Sequence, residues 1–291
     1  MKLIFYLTIT FSGMLFISCD EKPKTTSKLI DEDSYEGYAV LIGVNDPDVI
    51  HYGNDKTVCG TKKNVIGINS LLSKTLFKRK NIYRLHNDST KWDTVVSILE
   101  RIRSTIDHSK NNYVFVYFSG HGSALDVTEE ISTNCPGSTY PQIKNKTAQF
   151  LCFFDRMVLK TEVLKQLALF RKKTKIYFLI DACHSGSNKE SSASPDHSTA
   201  QTLQKYYCST YRKVLIESID YKFDGKADVC ITAAASSLGT TSSGLGCNQT
   251  EFTAAYCSQW GKNKPGNYKS FGKTEFYNDH SFFLNTYPLI F

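Results

Sequence analysis

A histidine and a cysteine each follow a strongly apolar stretch of this chain. The run Tyr113 to Phe118 precedes His121, and the run Ile176 to Ile180 precedes Cys183. In an open α/β sheet, functional residues stand at the carboxyl ends of the parallel strands. A thiol needs a base or a cation nearby before it can attack an amide at neutral pH. The pair therefore predicts nucleophilic catalysis by a cysteine with a histidine as its partner.

The elements around the two residues favour their meeting. Short apolar, β-branched and aromatic runs predict strands at 38–44, 81–85, 113–118, 150–154, 176–180 and 228–235. Apolar residues at helical spacing predict helices at 62–74, 94–106, 161–169 and 250–260. This alternation predicts an α/β fold with a doubly wound, mainly parallel sheet flanked by helices. A strand–helix–strand unit between His121 and Cys183 would bring their strand ends side by side.

Three segments lack these periodicities and are predicted to be loops. Residues 123–148 are rich in Thr, Ser and Pro, residues 185–200 are rich in Ser, and residues 236–247 are mostly Ser, Thr and Gly. The Ser-rich segment is expected to be mobile and exposed. In the tail, Phe282, Phe283 and Leu284 suggest packing against the rest of the domain.

Composition favours a folded domain without a nucleic-acid partner. The 291 residues are 41% hydrophobic and 22% charged, which suits a large core and argues against global disorder. The net charge of +7 comes from scattered lysines. Nucleic-acid binding would require a basic stripe interleaved with aromatic residues, and the sequence shows none.

The N-terminus has the features of an export signal. Lys2 precedes an apolar run from Leu3 to Ile17, which is short for a spanning helix and suits a signal peptide over residues 1–18. Ser18 directly before Cys19 resembles a bacterial lipoprotein processing site, although Phe16 stands where leucine is commoner. We expect a membrane-anchored lipoprotein of the cell envelope, lipidated at Cys19. The alternative is an ordinary secreted protein.

Seven further cysteines leave disulfide connectivity open. An exported protein can form disulfides, and the pairs Cys135–Cys152 and Cys247–Cys257 are plausible. Cys230 lies in an apolar strand, where a thiol packs well. No Cys-x-x-Cys spacing supports a zinc site.

The two candidate motifs resemble those of a known superfamily, the caspase-like cysteine peptidases, and particularly its metacaspase branch. Residues 119–122 (Ser-Gly-His-Gly) and 181–186 (Asp-Ala-Cys-His-Ser-Gly) are similar to the two catalytic motifs of that branch. Residues 38–44 resemble its first strand, 231–237 the strand of its smaller subunit, and 251–253 a motif located after that strand. The resemblance covers roughly residues 37–260 and implies a caspase-like fold.

The resemblance assigns roles to the site residues. Cys183 would be the nucleophile and His121 its acid–base partner, while the backbone N–H groups of Gly122 and Cys183 would hold the oxyanion. His184 is a rival base, but it directly follows the nucleophile and its side chain is expected to point elsewhere. The implied activity is that of a cysteine-type endopeptidase. A transamidase and a catalytically idle interaction module are the alternatives.

The resemblance also implies a pocket for the substrate residue before the scissile bond. Metacaspases cleave after Lys or Arg and use acidic residues there; Asp181 matches one acid and Ser119 a pocket serine. In the family, a second acidic residue of this pocket follows a cysteine by three positions. The closest counterpart in this chain is Lys62, three positions after Cys59. A lysine at that position predicts a weakened or altered preference for basic residues.

Two further expectations concern regulation. Calcium activates several metacaspases, and Asp126, Glu129, Glu130 and Asp155 offer oxygen ligands without a recognisable spacing, so a solvated acidic loop is the favoured interpretation. No cofactor is expected to be required. The basic residues between 187 and 227 suggest self-cleavage there, as caspase-like proteins often undergo.

The predicted organisation has three parts. A signal peptide (1–18) and a lipid-anchor tether (19–36) precede one peptidase domain (37–291). Within that domain, a large-subunit-like part spans about 37–187, a mobile linker about 188–227, and a small-subunit-like part about 228–291. The expected partners are a peptide or protein substrate and a membrane, reached through the lipid.

Overall fold

Buried apolar strands build the central sheet of this protein. The computed structural model describes residues 35–45, 58–75, 77–126, 147–182, 221–234, 248–259 and 273–277. Its strands are β1 (Tyr35–Gly43), β2 (Ile82–His86), β3 (Asn111–Ser119), β4 (Gly122–Asp126), β5 (Thr147–Cys152), β6 (Met157–Leu159), β7 (Thr174–Asp181), β8 (Asp228–Ala233) and β9 (Lys273–Tyr277). The main sheet has the order β2-β1-β3-β7-β8-β9. Its first five strands are parallel, and β9 runs antiparallel to β8.

Helices cover both faces of this sheet, which explains why its strands are apolar on both sides. The helices are α1 (Thr61–Leu72), α2 (Trp92–Thr105), α3 (Lys160–Ala168) and α4 (Glu251–Gln259). Even-numbered residues of β3, such as Val116 and Phe118, pack with α2 and α3. Odd-numbered residues, such as Phe115 and Tyr117, pack with α1 and α4. Even- and odd-numbered residues of β3 therefore contact different pairs of helices.

A small antiparallel sheet, β4-β5-β6, leads from β3 to α3. The expectation of a loop over 123–148 is wrong for residues 123–126, which form part of β4. The strand expected at 150–154 begins three residues earlier and ends at Cys152, and β6 has no counterpart in the predictions. Gly, Ser, Ala and Asp in β4 have low strand propensity, so its pairing with β5 decides its conformation.

The predicted α/β class with a doubly wound, mainly parallel sheet flanked by helices is confirmed. The four predicted helices also exist, with ends that differ by one or a few residues. Among the described residues, no helix is both long and apolar enough to cross a membrane.

The end of the predicted linker packs against the domain. Residues 221–227 are described, and Tyr221 and Phe223 pack against the core cluster on the α2 and α3 face. The Lys165 ammonium lies 5.8 Å from the centre of the Tyr221 ring, and Ala227 is fully buried. Residues 188–220 lie outside the described residues.

Both suggested disulfides, Cys135–Cys152 and Cys247–Cys257, are wrong. Cys152 and Cys257 are thiols, as is the buried Cys230. Cys152 is enclosed within β5, and Cys257 lies on α4, where burial raises the pKa of its thiol to about 11. Packing rather than cross-linking accounts for these cysteines.

Candidate active site

The strands that precede the predicted dyad are direct neighbours in the sheet. β3 and β7 pair in parallel, with Ser119 opposite Asp181. His121 stands two residues after Ser119, and Cys183 stands two residues after Asp181. Cys183 itself lies outside the described residues, as do Cys19 and His184. The last paired residues of β3 and β7, Ser119 and Asp181, therefore stand side by side at the same edge of the sheet.

His121 occupies the short turn between β3 and β4. The Gly120 N–H donates to the Asp181 carbonyl at 3.3 Å, so pairing with β7 continues past the end of β3. The Cys152 N–H donates to the His121 carbonyl at 3.0 Å. The backbone of this partly buried histidine is thus held from two sides, by β7 and by β5.

Gly122 begins β4 opposite Leu151 of β5. Because Cys152 donates to the carbonyl of His121, Gly122 and Leu151 form a non-hydrogen-bonded pair of the antiparallel ladder. The Gly122 N–H therefore points away from β5. In the small sheet, β4 is an edge strand.

Asp181 forms the centre of a buried polar cluster, which also includes Asn64, Tyr117, Ser119, Thr250 and Thr253. Asp181 is 2% exposed. Its Oδ2 accepts hydrogen bonds from the hydroxyls of Thr250 and, at 2.6 Å, Thr253, with weaker contacts to the Tyr117 hydroxyl at 3.4 Å and Asn64 Nδ2 at 3.3 Å. The Tyr117 and Thr253 oxygens also lie 2.6 Å apart. β3, β7, α1 and α4 all contribute to this cluster.

Burial raises the pKa of Asp181 above its ordinary value, and the hydrogen bonds from Thr250, Thr253 and Tyr117 partly oppose that rise. Burial and the charge of Asp181 raise the pKa of Tyr117, so the phenol keeps its proton. Oδ1 of Asp181 is buried and has no hydrogen-bond partner within the described part of the chain. Among the described residues, Oδ2 therefore accepts from several donors and Oδ1 from none.

Asn64, like Tyr117, Thr250 and Thr253, was not selected as a site residue from the sequence. It is fully buried on α1. Its Oδ1 accepts from the backbone N–H of Thr250 at 2.9 Å, and its Nδ2 lies 2.9 Å from Ser119 Oγ. A backbone N–H can only donate, so the amide oxygen must face Thr250 and the NH2 must face Ser119 and Asp181. A polar residue on the apolar stripe of α1, directly before Val65, was the available signal.

Lys62 is exposed, whereas the cluster around Asp181 is buried. Lys62 lies on the first turn of α1. The pKa of His86 is lowered by burial first and by the charge of Lys62 second, which places the lysine near the end of β2. Cys59 is disulfide-bonded, two residues before α1. The structure therefore brings Ser119 together with Asp181 and places Asn64, rather than Lys62, beside the carboxylate.

The acids considered for calcium do not assemble in the described part of the chain. Asp155 Oδ1 accepts the backbone N–H of Trp92 at 2.9 Å and so caps α2. Glu129 and Glu130 lie outside the described residues, as does the side chain of Asp126. Among the described side chains, no group of three His, Cys, Asp or Glu is suited to a metal ion.

Comparisons with known proteins place the chain in a family. The caspase domain family model matches residues 36–274. A solved protein of Geobacter sulfurreducens aligns with a TM-score of 0.65 and 18% identity, over 87% of this chain and 98% of that one. Caspase-1 of Spodoptera frugiperda aligns with a TM-score of 0.44 and 13% identity, over 78% of this chain and 69% of that one.

The curated proteins contain no match to the chain. The similarity to the Geobacter protein shows the fold alone, and the family assignment rests on the domain match, which spans most of the chain. The parallel pairing of β3 with β7 agrees with the expectation that the strands before His121 and Cys183 are neighbours. This chain belongs to the caspase domain family.

Proposed function

We propose that the chain is a cysteine-type endopeptidase that uses His121 and Cys183. The observation that carries the proposal is the register of β3 and β7, with Ser119 opposite Asp181. This register supports a meeting of the two residues, because His121 and Cys183 each follow one of these paired positions by two residues in the sequence. The caspase-family domain supports the same class of chemistry. The substrate is a peptide or protein.

The proposed reaction has two steps. The Cys183 thiolate attacks the carbonyl carbon of the scissile bond, the C–N bond breaks, and His121 gives a proton to the departing amine. Water then attacks the thioester with His121 as general base, and the acid product leaves as the thiol is restored. The oxyanion of each tetrahedral intermediate would accept a hydrogen bond from the Gly122 N–H, which points away from β5.

A fluorogenic peptide screen on the purified protein tests this proposal. The wild type should cleave a subset of peptides, and Cys183→Ala and His121→Ala should each lose at least about a thousandfold in rate. Each assay is run with and without calcium. Cleavage that persists in Cys183→Ala, or no Cys183-dependent cleavage under either condition, would contradict the proposal. The second result would favour the non-catalytic interaction module.

Product analysis separates hydrolysis from transamidation. Both pass through the same acyl-enzyme, and they differ in whether water or an amine resolves it. Adding glycinamide to the assay should leave a carboxylic acid as the main product. A product mainly extended by glycinamide would assign transamidase activity instead.

We also propose that the enzyme is exported and anchored to a membrane by a lipid on Cys19. The support is the apolar run followed by Ser18 and Cys19. Metabolic labelling with a radioactive fatty acid in a bacterial host should label the wild type but not Cys19→Ala. Equal labelling of both would contradict the anchor, and export without labelling would indicate a secreted form.

A further inference from the structure

An uncharged amide stands beside the buried carboxylate at the strand ends. Asn64 is fully buried, and its Nδ2 lies 3.3 Å from Asp181 Oδ2 and 2.9 Å from Ser119 Oγ. Its oxygen accepts the backbone N–H of Thr250. Because each polar atom of the amide faces a fixed partner, the amide has one orientation. A carboxylate at position 64 would lie in the same place.

Within the described part of the chain, the groups that influence Asp181 are neutral. Hydroxyls of Thr250, Thr253 and Tyr117 oppose the rise in its pKa, and none of the described lysines or arginines contributes. Lys62, on the same helix as Asn64, is exposed and acts on His86 instead. Asp181 is therefore, among the described residues, a single buried carboxylate without a second acid and without a cation.

A single carboxylate discriminates less strongly between charged and neutral side chains than two do. Oδ2 of Asp181 already accepts several donors, so Oδ1 is the atom left for a further one. A guanidinium carries a planar fork of donors that is satisfied best by several carboxylate oxygens. An amide at position 64 removes two of those oxygens and contributes donors of its own.

We propose that Asn64 is the residue that determines how weakly this enzyme prefers a basic side chain before the scissile bond. It does so by replacing a second acid with a neutral amide that donates to Asp181. The inference rests on the proposed peptidase function and on Asp181 as a substrate-binding residue. Asn64 acts through Asp181, so it is a positioning residue rather than a catalytic one.

Paired peptides with arginine or citrulline before the scissile bond provide the test. Citrulline has nearly the shape of arginine but no charge. The ratio of kcat/KM for arginine over citrulline should be within about tenfold for the wild type and should rise by about tenfold or more in Asn64→Asp, the scale of one charge-assisted hydrogen bond. Asn69→Asp is the matched control, because it adds the same charge about 7.5 Å further along α1 and should leave the ratio unchanged.

Three results would overturn the inference. The first is a wild-type protein that prefers arginine over citrulline by more than about a hundredfold. This result needs no variant, so the inference can be tested even if Asn64→Asp does not fold. A folded Asn64→Asp protein with an unchanged ratio would show that the amide is only structural. An equal rise in Lys62→Gln would assign the effect to Lys62.

A binding measurement separates failure of this inference from failure of the proposed function. Benzamidine, a small amidinium cation, is titrated into Cys183→Ala with and without Asn64→Asp, and binding is followed by NMR. About tenfold tighter binding to the double variant supports the inference even if no peptide is cleaved. Equal affinity contradicts it even if the wild type is an active peptidase.

Discussion

At the scale of single residues, Asp181 is an ionisable group held in the interior by neutral donors. The desolvation penalty favours its protonated form, so its folded-state pKa lies above the value in the unfolded chain. A folded state that binds a proton more tightly gains stability as the pH falls towards the ordinary aspartate pKa. Tyr117 is the ionisable side chain that the structure places against it, and burial keeps that phenol protonated.

Asp181→Asn removes the titrating carboxyl group, so the difference between wild type and variant measures its contribution to stability at each pH. We expect the free energy of unfolding of the wild type, relative to the variant, to increase as the pH is lowered from 8 to 5. Each unit of difference between the folded and unfolded pKa corresponds to about 1.4 kcal/mol. Urea denaturation at four pH values measures the trend. A difference that is flat or falls towards acid would mean that Asp181 stays ionised in the folded protein throughout this pH range.

The threonine hydroxyls are expected to contribute most of the stabilisation of this carboxylate. Thr253→Val keeps the shape but removes the donor to Asp181 and leaves the Tyr117 hydroxyl without its close partner. A loss of about 1–3 kcal/mol in the free energy of unfolding should result, because buried polar groups remain unpaired. Thr105→Val, on the exposed face of α2, should change stability by less than about 0.5 kcal/mol. Equal effects of the two substitutions would contradict the role of the cluster.

The sequence predicted the motif residues of the site but not their shared partner. Ser119, His121 and Asp181 follow apolar runs, so local patterns were enough to select them. Asn64 lies 55 residues from Ser119, 117 from Asp181 and 186 from Thr250. Its role depends on the sheet order and on where α4 docks, and no local periodicity encodes either. Lys62 was selected from its spacing after Cys59, and such a local signal does not tell which side chain of α1 faces the buried carboxylate.

At the scale of elements, the apolar strands were predictable because both faces of the sheet are covered. Runs such as 113–118 and 176–180 are buried on every residue, and that pattern has few alternatives in an α/β chain. β4 has few strand-favouring residues and is stabilised by its pairing with β5, while β6 is apolar but only three residues long.

Gly43 and Gly67 both lie where α1 packs closely against a neighbouring segment. Substitution by alanine should change the free energy of unfolding differently at the two positions. A Cβ on Gly43 would lie 2.9 Å from Val65 Cγ2 and 3.1 Å from the Thr61 carbonyl oxygen. That backbone oxygen cannot move without shifting the start of α1, so Gly43→Ala should cost about 1–3 kcal/mol in the free energy of unfolding.

Gly67→Ala should be close to neutral. Its Cβ would meet the end of the flexible Gln249 side chain, which can swing away and lose its hydrogen bond to the Lys63 carbonyl. Alanine offsets that loss by about 1 kcal/mol of helix propensity. Urea denaturation of the two variants side by side measures both values. A Gly67→Ala protein destabilised as much as Gly43→Ala would show that the 248–250 segment is rigidly fixed on α1.

At the scale of the whole molecule, the parts of the chain on either side of the predicted linker are interleaved. β8 pairs with β7 over six residue pairs. On the face of the sheet that α1 covers, α4 packs with α1 through the core cluster that contains Phe252 and Tyr256. Lys63 Nζ donates to Asn248 Oδ1 at 2.9 Å, and the Asn64–Thr250 hydrogen bond joins the same two segments. Cutting the linker would leave all of these contacts intact.

If the proposed peptidase cleaves itself, this arrangement predicts where the cut falls and what happens to the two fragments. Because Tyr221 and Phe223 pack on the core, a peptidase site cannot easily engage residues 221–227, and cuts should fall between 188 and 220. The two fragments should elute together on size exclusion and separate only in denaturant, since β7 and β8 remain paired. Mass spectrometry of the incubated wild type identifies the cut, with Cys183→Ala as the uncut control. Identical migration of the two proteins with and without calcium would contradict self-cleavage, and fragments that separate without denaturant would contradict the interleaved architecture as the cause of their association.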